Sequence, residues 1–460
     1  MQNFLKVDRV EQNKKPVLAR IKNFQEIYEQ FDAPSAKTQS SRCVQCGIPY
    51  CSYGCPLSNF VPHWLKAIAE QDLKLAFELS NQSSPFPEIM GRVCPQDRLC
   101  EGSCTLNDAF GAITIGSIET FITENGFKHG LTVKFSDAVS VKRVAVIGAG
   151  PAGLSVATFL LRAGISVDLF EKEAFAGGLL TWGIPDFKLN KKTVLNRVNL
   201  LKSAGLNLIL NCEIGKDISF EKLREDFDAI FISIGAKKSN SAHVVGETAD
   251  NVYQAIDFLG MSQSSKITLP NHKPVDIKGK TVIVIGGGDT AMDCARTAIR
   301  DGAARTICAY RRNAENMPGS KKEYKNAIEE GVEFSFFVSP KSLKLGPNGE
   351  VIGVVFTQTQ VVKTPDAPRG KLEEVPNSEQ FIKADIVVFA LGFDVKIPDF
   401  ITKAGVELNK YGQIIVDKNG KTTAPNIYAG GDCVRGANLV VNAALDGREA
   451  AKAIVKSLED

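Results

Sequence analysis

The chain has 460 residues, too many for a single hydrophobic core and enough for about three domains of roughly 100 to 200 residues each. With 44% hydrophobic and 23% charged residues it has the balance of an ordinary folded protein, which excludes a disordered or membrane-embedded chain. A net charge of +3 from 55 basic and 52 acidic residues is too small and too mixed for a general nucleic-acid footprint.

In chain order, the first fifteen residues alternate polar and charged side chains and lack the apolar run of a secretory signal, so a cytoplasmic protein without membrane contact is expected. Pro16 to Phe31 and Trp64 to Leu79 carry apolar residues at helical intervals and predict amphipathic helices. Residues 1–128 read as a helical domain with loops, and 129–142 as a linker.

Seven of the 11 cysteines fall inside that first domain, and in a reducing compartment such spacing points to metal rather than disulfides. Cys43-x2-Cys46-x4-Cys51-x3-Cys55-Pro56 is followed by Cys94-Pro95-x4-Cys100-x3-Cys104. Iron–sulfur clusters take four soft ligands each, and a loop closed by Cys-Pro lets neighbouring thiolates serve different clusters. The competing reading is structural zinc, which suits Cys43-x2-Cys46, although zinc ribbons pair two such knuckles. Seven thiols leave two clusters one ligand short. Glu119, in Ile115-Gly-Ser-Ile-Glu119, is the candidate for the eighth position, because a carboxylate can ligate iron.

Two segments then share one punctuation. Val144-Ala-Val-Ile-Gly148-Ala-Gly150-Pro-Ala-Gly153 and Val282-Ile-Val-Ile-Gly286-Gly-Gly288-Asp-Thr-Ala291 each run from an apolar strand through glycines into a helical pattern, the opening of a βαβ unit. In the first, the glycines permit a tight turn and backbone approach to a pyrophosphate, and Glu171 ends the following strand where an acid would accept from ribose hydroxyls. In the second, the following strand ends in Tyr310-Arg311-Arg312. A guanidinium there can pair with the 2′-phosphate of NADPH, whereas a carboxylate would repel it.

Strand-like runs at Ile386 to Leu391 and Gln413 to Val416 precede Ala429-Gly430-Gly431-Asp432, where Asp432 can accept from a hydroxyl such as that of a flavin's ribityl chain. This return to short strands suggests that the second nucleotide fold interrupts the first. The expected order is a first part of the FAD domain over 143–275, an NADPH domain over 276–388 and a second part of the FAD domain over 389–460. Cys212, Cys294, Cys308 and Cys433 are isolated and read as core thiols, and His63, His129, His243 and His272 form no ligand spacing.

Over almost its whole length the chain resembles the small (beta) subunit of glutamate synthase. The resemblance rests on Arg42-Cys-x2-Cys-Gly-Ile-Pro-x-Cys51, Gly91-Arg-Val-Cys-Pro-Gln-Asp-Arg-Leu-Cys-Glu-Gly-Ser-Cys104, Gly177-Gly-Leu-Leu-x-x-Gly-Ile-Pro185, Gly286-Gly-Gly-Asp-Thr-Ala-Met-Asp-Cys294 and Tyr310-Arg-Arg-x-x-x-Asn-Met-Pro-Gly-Ser320. The N-terminal electron-entry module of dihydropyrimidine dehydrogenase and the larger subunit of NADH-dependent ferredoxin–NADP oxidoreductases are related. The resemblance implies an α/β chain in which a helical iron–sulfur domain precedes two Rossmann-like folds, the NADPH domain being inserted in the FAD domain. It implies FAD at Gly148, Gly150, Gly153, Glu171, Gly178 and Asp432, and NADPH at Gly286, Gly288, Asp289, Arg311 and Arg312. It further implies one 4Fe-4S cluster on Cys43, Cys46, Cys51 and Cys104, and another on Cys55, Cys94, Cys100 and Glu119. Met90 departs from the pattern, standing where some relatives carry a further cysteine.

The activity so implied is oxidation of NADPH through FAD and the clusters, with electrons passing to a glutamate synthase large (alpha) subunit that makes L-glutamate from glutamine and 2-oxoglutarate. Hydride transfer between cofactors calls for no side-chain acid or base, and nothing here resembles an amidotransferase nucleophile. Other acceptors, such as ferredoxin, a sulfur compound or a pyrimidine-reducing partner, fit the same residues. A zinc-stabilised nucleotide-binding scaffold without electron flow is the reading from another class.

Overall fold

The computed structural model describes residues 3–137, 140–264, 275–364 and 367–459. The N-terminal region is helical, built from α1 (Ala33–Ser40), α2 (Val61–Ala69), α3 (Leu73–Ser83), α4 (Pro87–Val93) and α5 (Ile115–Lys128). Its own core gathers Trp64, Leu65, Phe77, Ile118 and Ile122, all buried.

The helix predicted over Trp64 to Leu79 is two helices. The chain turns at Gln71, which takes a left-handed φ of +64°, and Asp72 caps α3 by accepting from the Leu75 N–H at 2.9 Å. The helix predicted over Pro16 to Phe31 is a single turn, Val17–Arg20. Tertiary partners override its periodicity: Lys14 bridges to Tyr28, the Ile27 N–H donates to Phe187 O at 3.2 Å, and Arg20 is drawn onto Glu330.

The first nucleotide fold is a parallel sheet of β1 (Arg143–Ile147), β2 (Ser166–Phe170), β3 (Asn207–Ile209) and β4 (Ala229–Ile232), joined by a fifth strand from far along the chain. Helices α6 (Pro151–Arg162) and α7 (Lys191–Ser203) belong to this fold. After β4 the chain leaves through Lys238–Ser239 and builds a second parallel sheet. Its strands are β5 (Val252–Gln254), β6 (Thr281–Ile285), β7 (Arg305–Tyr310), β8 (Glu333–Phe336) and, from later in the chain, Ile386–Phe389. Helices α8 (Ala255–Ser264), α9 (Asp289–Arg300) and α10 (Lys321–Glu329) belong to this second fold. The apolar runs of β1, β4 and β6 suit strands that are buried on both faces.

An antiparallel sheet, absent from the sequence reading, follows: β9 (Val338–Leu345), β10 (Val351–Thr364), β11 (Ala367–Glu374) and β12 (Gln380–Lys383). The chain then forms β13 (Ile386–Phe389) and returns through Phe393–Asp394, which pairs antiparallel with Lys238–Ser239. Finally β14 (Ile427–Ala429) pairs with β4, and α11 (Val440–Glu459) lies against α6, where the Ser155 hydroxyl donates to Ala444 O at 2.6 Å. The second fold is therefore inserted in the first.

The second sheet takes its edge strand from β5, ahead of the 275/276 border expected from the glycine fingerprint, because a three-residue strand carries no punctuation of its own. Residues 265–274 beside that border, with His272, lie outside the described residues. The run Gln413 to Val416, predicted as a strand, makes only isolated bridges from Ile414 to Leu408 and from Val416 to Thr422.

Candidate functional site

In the first fold β1 ends at Gly148, whose φ of +100° and whose approach to the chain beyond β4 both require glycine: a Cβ would stand 2.5 Å from Ser233 O. Gly153 lets α6 close on the turn, since a Cβ there would stand 2.0 Å from Gly148 O. Gly150, the first residue before α6, faces open space, so the backbone there is free for a phosphate to approach. Gly178 comes up beside it, with a Cβ position 2.9 Å from Gly150 Cα.

Glu171 is buried, and its carboxylate accepts from the Ala149 N–H at 2.8 Å and the Glu173 N–H at 3.0 Å, tying the glycine turn to the end of β2. Asp432 follows β14 and accepts from the Asn438 N–H at 3.2 Å. Burial, with Asp446 nearby, pushes its carboxyl up to about 7.

In the second fold Gly286 sits where a Cβ would be 2.4 Å from Ala390 O, while Gly288 opens onto free space at the start of α9. Gly287 was not singled out in the sequence, yet the Tyr310 ring packs where its Cβ would be, 2.4 Å from Cε2. Asp289 turns its carboxylate to the loop after β7, accepting from the Ser320 N–H at 2.9 Å. Arg312 donates to Gly370 O at 3.2 Å, and Arg311 is exposed, with no side-chain partner among the described residues.

All seven N-terminal cysteines are half-buried and free, whereas Cys212, Cys294, Cys308 and Cys433 are fully buried. Cys43, Cys46, Cys51 and Cys104 line one cavity together with Val44, Leu65, Ile113 and Ile115. Cys55, Cys94, Cys100 and Glu119 form a second group whose members act on one another electrostatically. Burial and neighbouring thiols push Cys43 up to about 11 and Cys51 up to about 12, and burial raises Cys94 and Cys100 well above the usual thiol range. Among the described residues no three of His, Cys, Asp or Glu stand close enough to share a single metal ion. Four soft donors spread around a cavity fit a polynuclear cluster better than one zinc ion, which draws its thiolates to about 2.3 Å.

Burial, with Glu88 nearby, pushes the Glu119 carboxyl up to about 8, and the Asn59 amide donates to its Oε1 at 2.8 Å. Asn59 cannot turn over: its own oxygen accepts from the Trp64 indole at 3.3 Å and the Ser83 hydroxyl at 3.0 Å. Sequence reading missed Asn59, because nothing in Pro56-Leu-Ser-Asn59 marks a partner sixty residues on. Met90 is buried with its sulfur 3.8 Å from Cys94 Sγ. Cys55 and Cys94 pack against the same hydrophobic core as Val146 and Ala149 of the first nucleotide fold, while Cys100 packs against the helical core together with Cys43, Cys51 and Cys104.

Residues 20–131 match the family described as dihydropyrimidine dehydrogenase domain II, 4Fe-4S cluster, and residues 142–447 match the pyridine nucleotide-disulphide oxidoreductases. The chain is 45% identical to the NADPH glutamate synthase small chain of Escherichia coli K12, over 99% of this chain and 98% of that one. It is 44% identical to the putative oxidoreductase AegA of the same organism, over 97% of this chain and 69% of that one. In structure it is similar to Mycobacterium tuberculosis FprA in complex with NADPH, with a TM-score of 0.59 and 19% identity over 69% of this chain and 85% of that one. No helix among the described residues is long and apolar enough to cross a membrane.

Proposed function

The chain belongs to the glutamate synthase small-chain family and is an FAD-dependent NADPH oxidoreductase, and on that premise we propose that it feeds a glutamate synthase large subunit through two 4Fe-4S clusters for L-glutamate synthesis from glutamine and 2-oxoglutarate. The observation that carries this reading is the packing of Cys55 and Cys94, with Glu119 acting on Cys94, against the core that supports the first glycine turn, while the Cys43 group packs on the helical core.

When bound, the flavin supplies a two-electron acceptor and the clusters supply one-electron carriers. The chain's own part is to hold them. Gly148, Gly150, Gly153 and Gly178 open the backbone to the FAD pyrophosphate, Glu171 braces the turn and Asp432 offers an acceptor to a ribityl hydroxyl. Gly286, Gly288, Arg311 and Arg312 hold NADPH, while Asp289 fixes the Ser320 loop beside them. The two cysteine groups would hold the clusters, with Asn59 fixing one oxygen of Glu119.

Anaerobic purification with the large subunit, followed by iron, sulfide and flavin analysis, tests this. About eight iron atoms and one flavin per chain, with NADPH-driven glutamate formation that needs both subunits, is the expected result. Flavin without iron or acid-labile sulfide would leave the zinc scaffold standing. The similarity to AegA, a putative oxidoreductase, favours a second reading in which another acceptor takes the electrons; reduction of ferredoxin without glutamate formation would select it.

Arg311→Ala is expected to raise the KM for NADPH by roughly ten-fold or more and to leave that for NADH nearly unchanged, because only NADPH offers a 2′-phosphate for a charge-assisted contact. Steady-state kinetics with both nucleotides checks this, and equal effects on both would count against the phosphate role.

A further inference from the structure

We propose that Arg98, a residue of the iron–sulfur domain, belongs to the NADPH site, where it presents positive charge to the nucleotide's pyrophosphate. The site is then completed across a domain boundary. The inference rests on the reading that the second glycine turn holds NADPH.

Arg98 lies between Cys94 and Cys100 in sequence, but its guanidinium reaches the second nucleotide fold. Nη1 donates to Pro318 O at 2.8 Å, and Nη2 stands 3.8 Å from Asp289 Oδ2. Both partners flank the glycine turn. The Gly319 N–H donates to Gly287 O at 3.1 Å, and a Cβ on Gly319 would stand 3.3 Å from the Asp289 N, so the Pro318-Gly319 loop rests on the turn itself. The guanidinium is thereby held at the rim of the space that Gly288 leaves open.

The charges at this rim need such a partner. Asp289 is an acid in the first turn of α9, where it would repel a phosphate. One of its oxygens is taken by the Ser320 N–H, and the other stands 3.8 Å from Arg98 Nη2, a distance too long for a hydrogen bond but short enough for charge attraction. Arg98 offsets that charge. Its side chain is 45% exposed, and a guanidinium has five N–H donors, so the one spent on Pro318 leaves others for a phosphate oxygen. Arg311 and Arg98 then serve different parts of the ligand, the 2′-phosphate and the pyrophosphate.

Calorimetric titration of the oxidised protein with NADP+ and with NAD+, at known iron and sulfide content, separates them. Arg98→Ala is expected to weaken both nucleotides by about ten-fold with full iron content, the size of one lost charge-assisted contact, and Arg98→Lys to recover part of the loss. Asp289→Asn keeps the acceptor for Ser320 but removes the charge, and is expected to bind both nucleotides at least as tightly as the unaltered chain. Unchanged affinities in an iron-replete Arg98→Ala protein, or a loss confined to NADP+, would overturn the proposal. So would weaker binding by Asp289→Asn, a variant remote in sequence from the cysteines. No binding of NADP+ by the unaltered chain would instead defeat the underlying reading of the site.

Discussion

Gly153→Ala is expected to leave purification with less than about a tenth of its flavin. The added Cβ would fall 2.0 Å from Gly148 O and 2.9 Å from the Ser233 hydroxyl oxygen, and the first of these is backbone that cannot swing aside. The start of α6 must therefore retreat from the end of β1. Overpacking of this kind costs about 1–3 kcal/mol, and each 1.4 kcal/mol taken from cofactor binding is a factor of ten.

Gly150→Ala provides the contrast. Its Cβ would meet nothing within 4 Å in the protein, so the chain should fold normally and lose flavin only because the cofactor itself needs that space. The ratio of flavin to protein absorbance, read beside thermal unfolding, distinguishes the two. A Gly153→Ala protein holding a full complement of flavin would show that α6 does not pack on the turn as described.

Glu330→Ala is expected to destabilise the docking of the second nucleotide fold by about 3–5 kcal/mol, the usual consequence of stripping one partner from a buried ionic cluster. Glu330 follows α10 and is fully buried. It accepts from Arg20 Nε at 3.0 Å, Arg296 Nε at 2.8 Å and Arg300 Nη1 at 2.6 Å. Arg20 comes from the N-terminal helical turn Val17–Arg20 and the other two from α9. Phe187 of the first fold lies beneath both α9 guanidiniums, with its ring centre 4.5 Å from Arg296 and 3.9 Å from Arg300. Arg296 also pairs with Glu323, and Lys188 with Asp293 at 3.2 Å. Removing Glu330 leaves three guanidiniums sharing too few carboxylates.

The same residue sets a pH dependence. Burial works to raise the Glu330 carboxyl, but hydrogen bonds from Arg296 and Arg300 overcome it and hold the group down at about 2. A folded value below the unfolded one means that its stabilisation is complete above about 4.5 and fades as the pH falls towards 2. Urea unfolding followed between pH 6 and pH 3 should therefore lose stability in the unaltered chain and lose less of it in Glu330→Ala; parallel curves would show that the cluster is not held by this carboxylate.

The features legible in the sequence are those whose physical cause is local. Gly148 and Gly286 show in the sequence because a left-handed or crowded turn excludes side chains whatever surrounds it. The cysteine spacing showed because a cluster needs several thiols within one loop. The antiparallel sheet was readable in principle, since Val351–Thr364 is rich in β-branched residues, but it has no glycine fingerprint to draw attention to it.

By itself, then, the sequence determined the order of the folds, the insertion of one in the other, and which residue types could hold a nucleotide or iron. Only the tertiary structure decided that Asn59 grips Glu119, that Gly287 lies under Tyr310, and that Arg98 and Arg20 reach the second nucleotide fold. Those contacts join residues tens to hundreds of positions apart, and neither helical nor strand periodicity carries information about a partner at such a distance; burial and charge pairing select it only when the whole chain has packed.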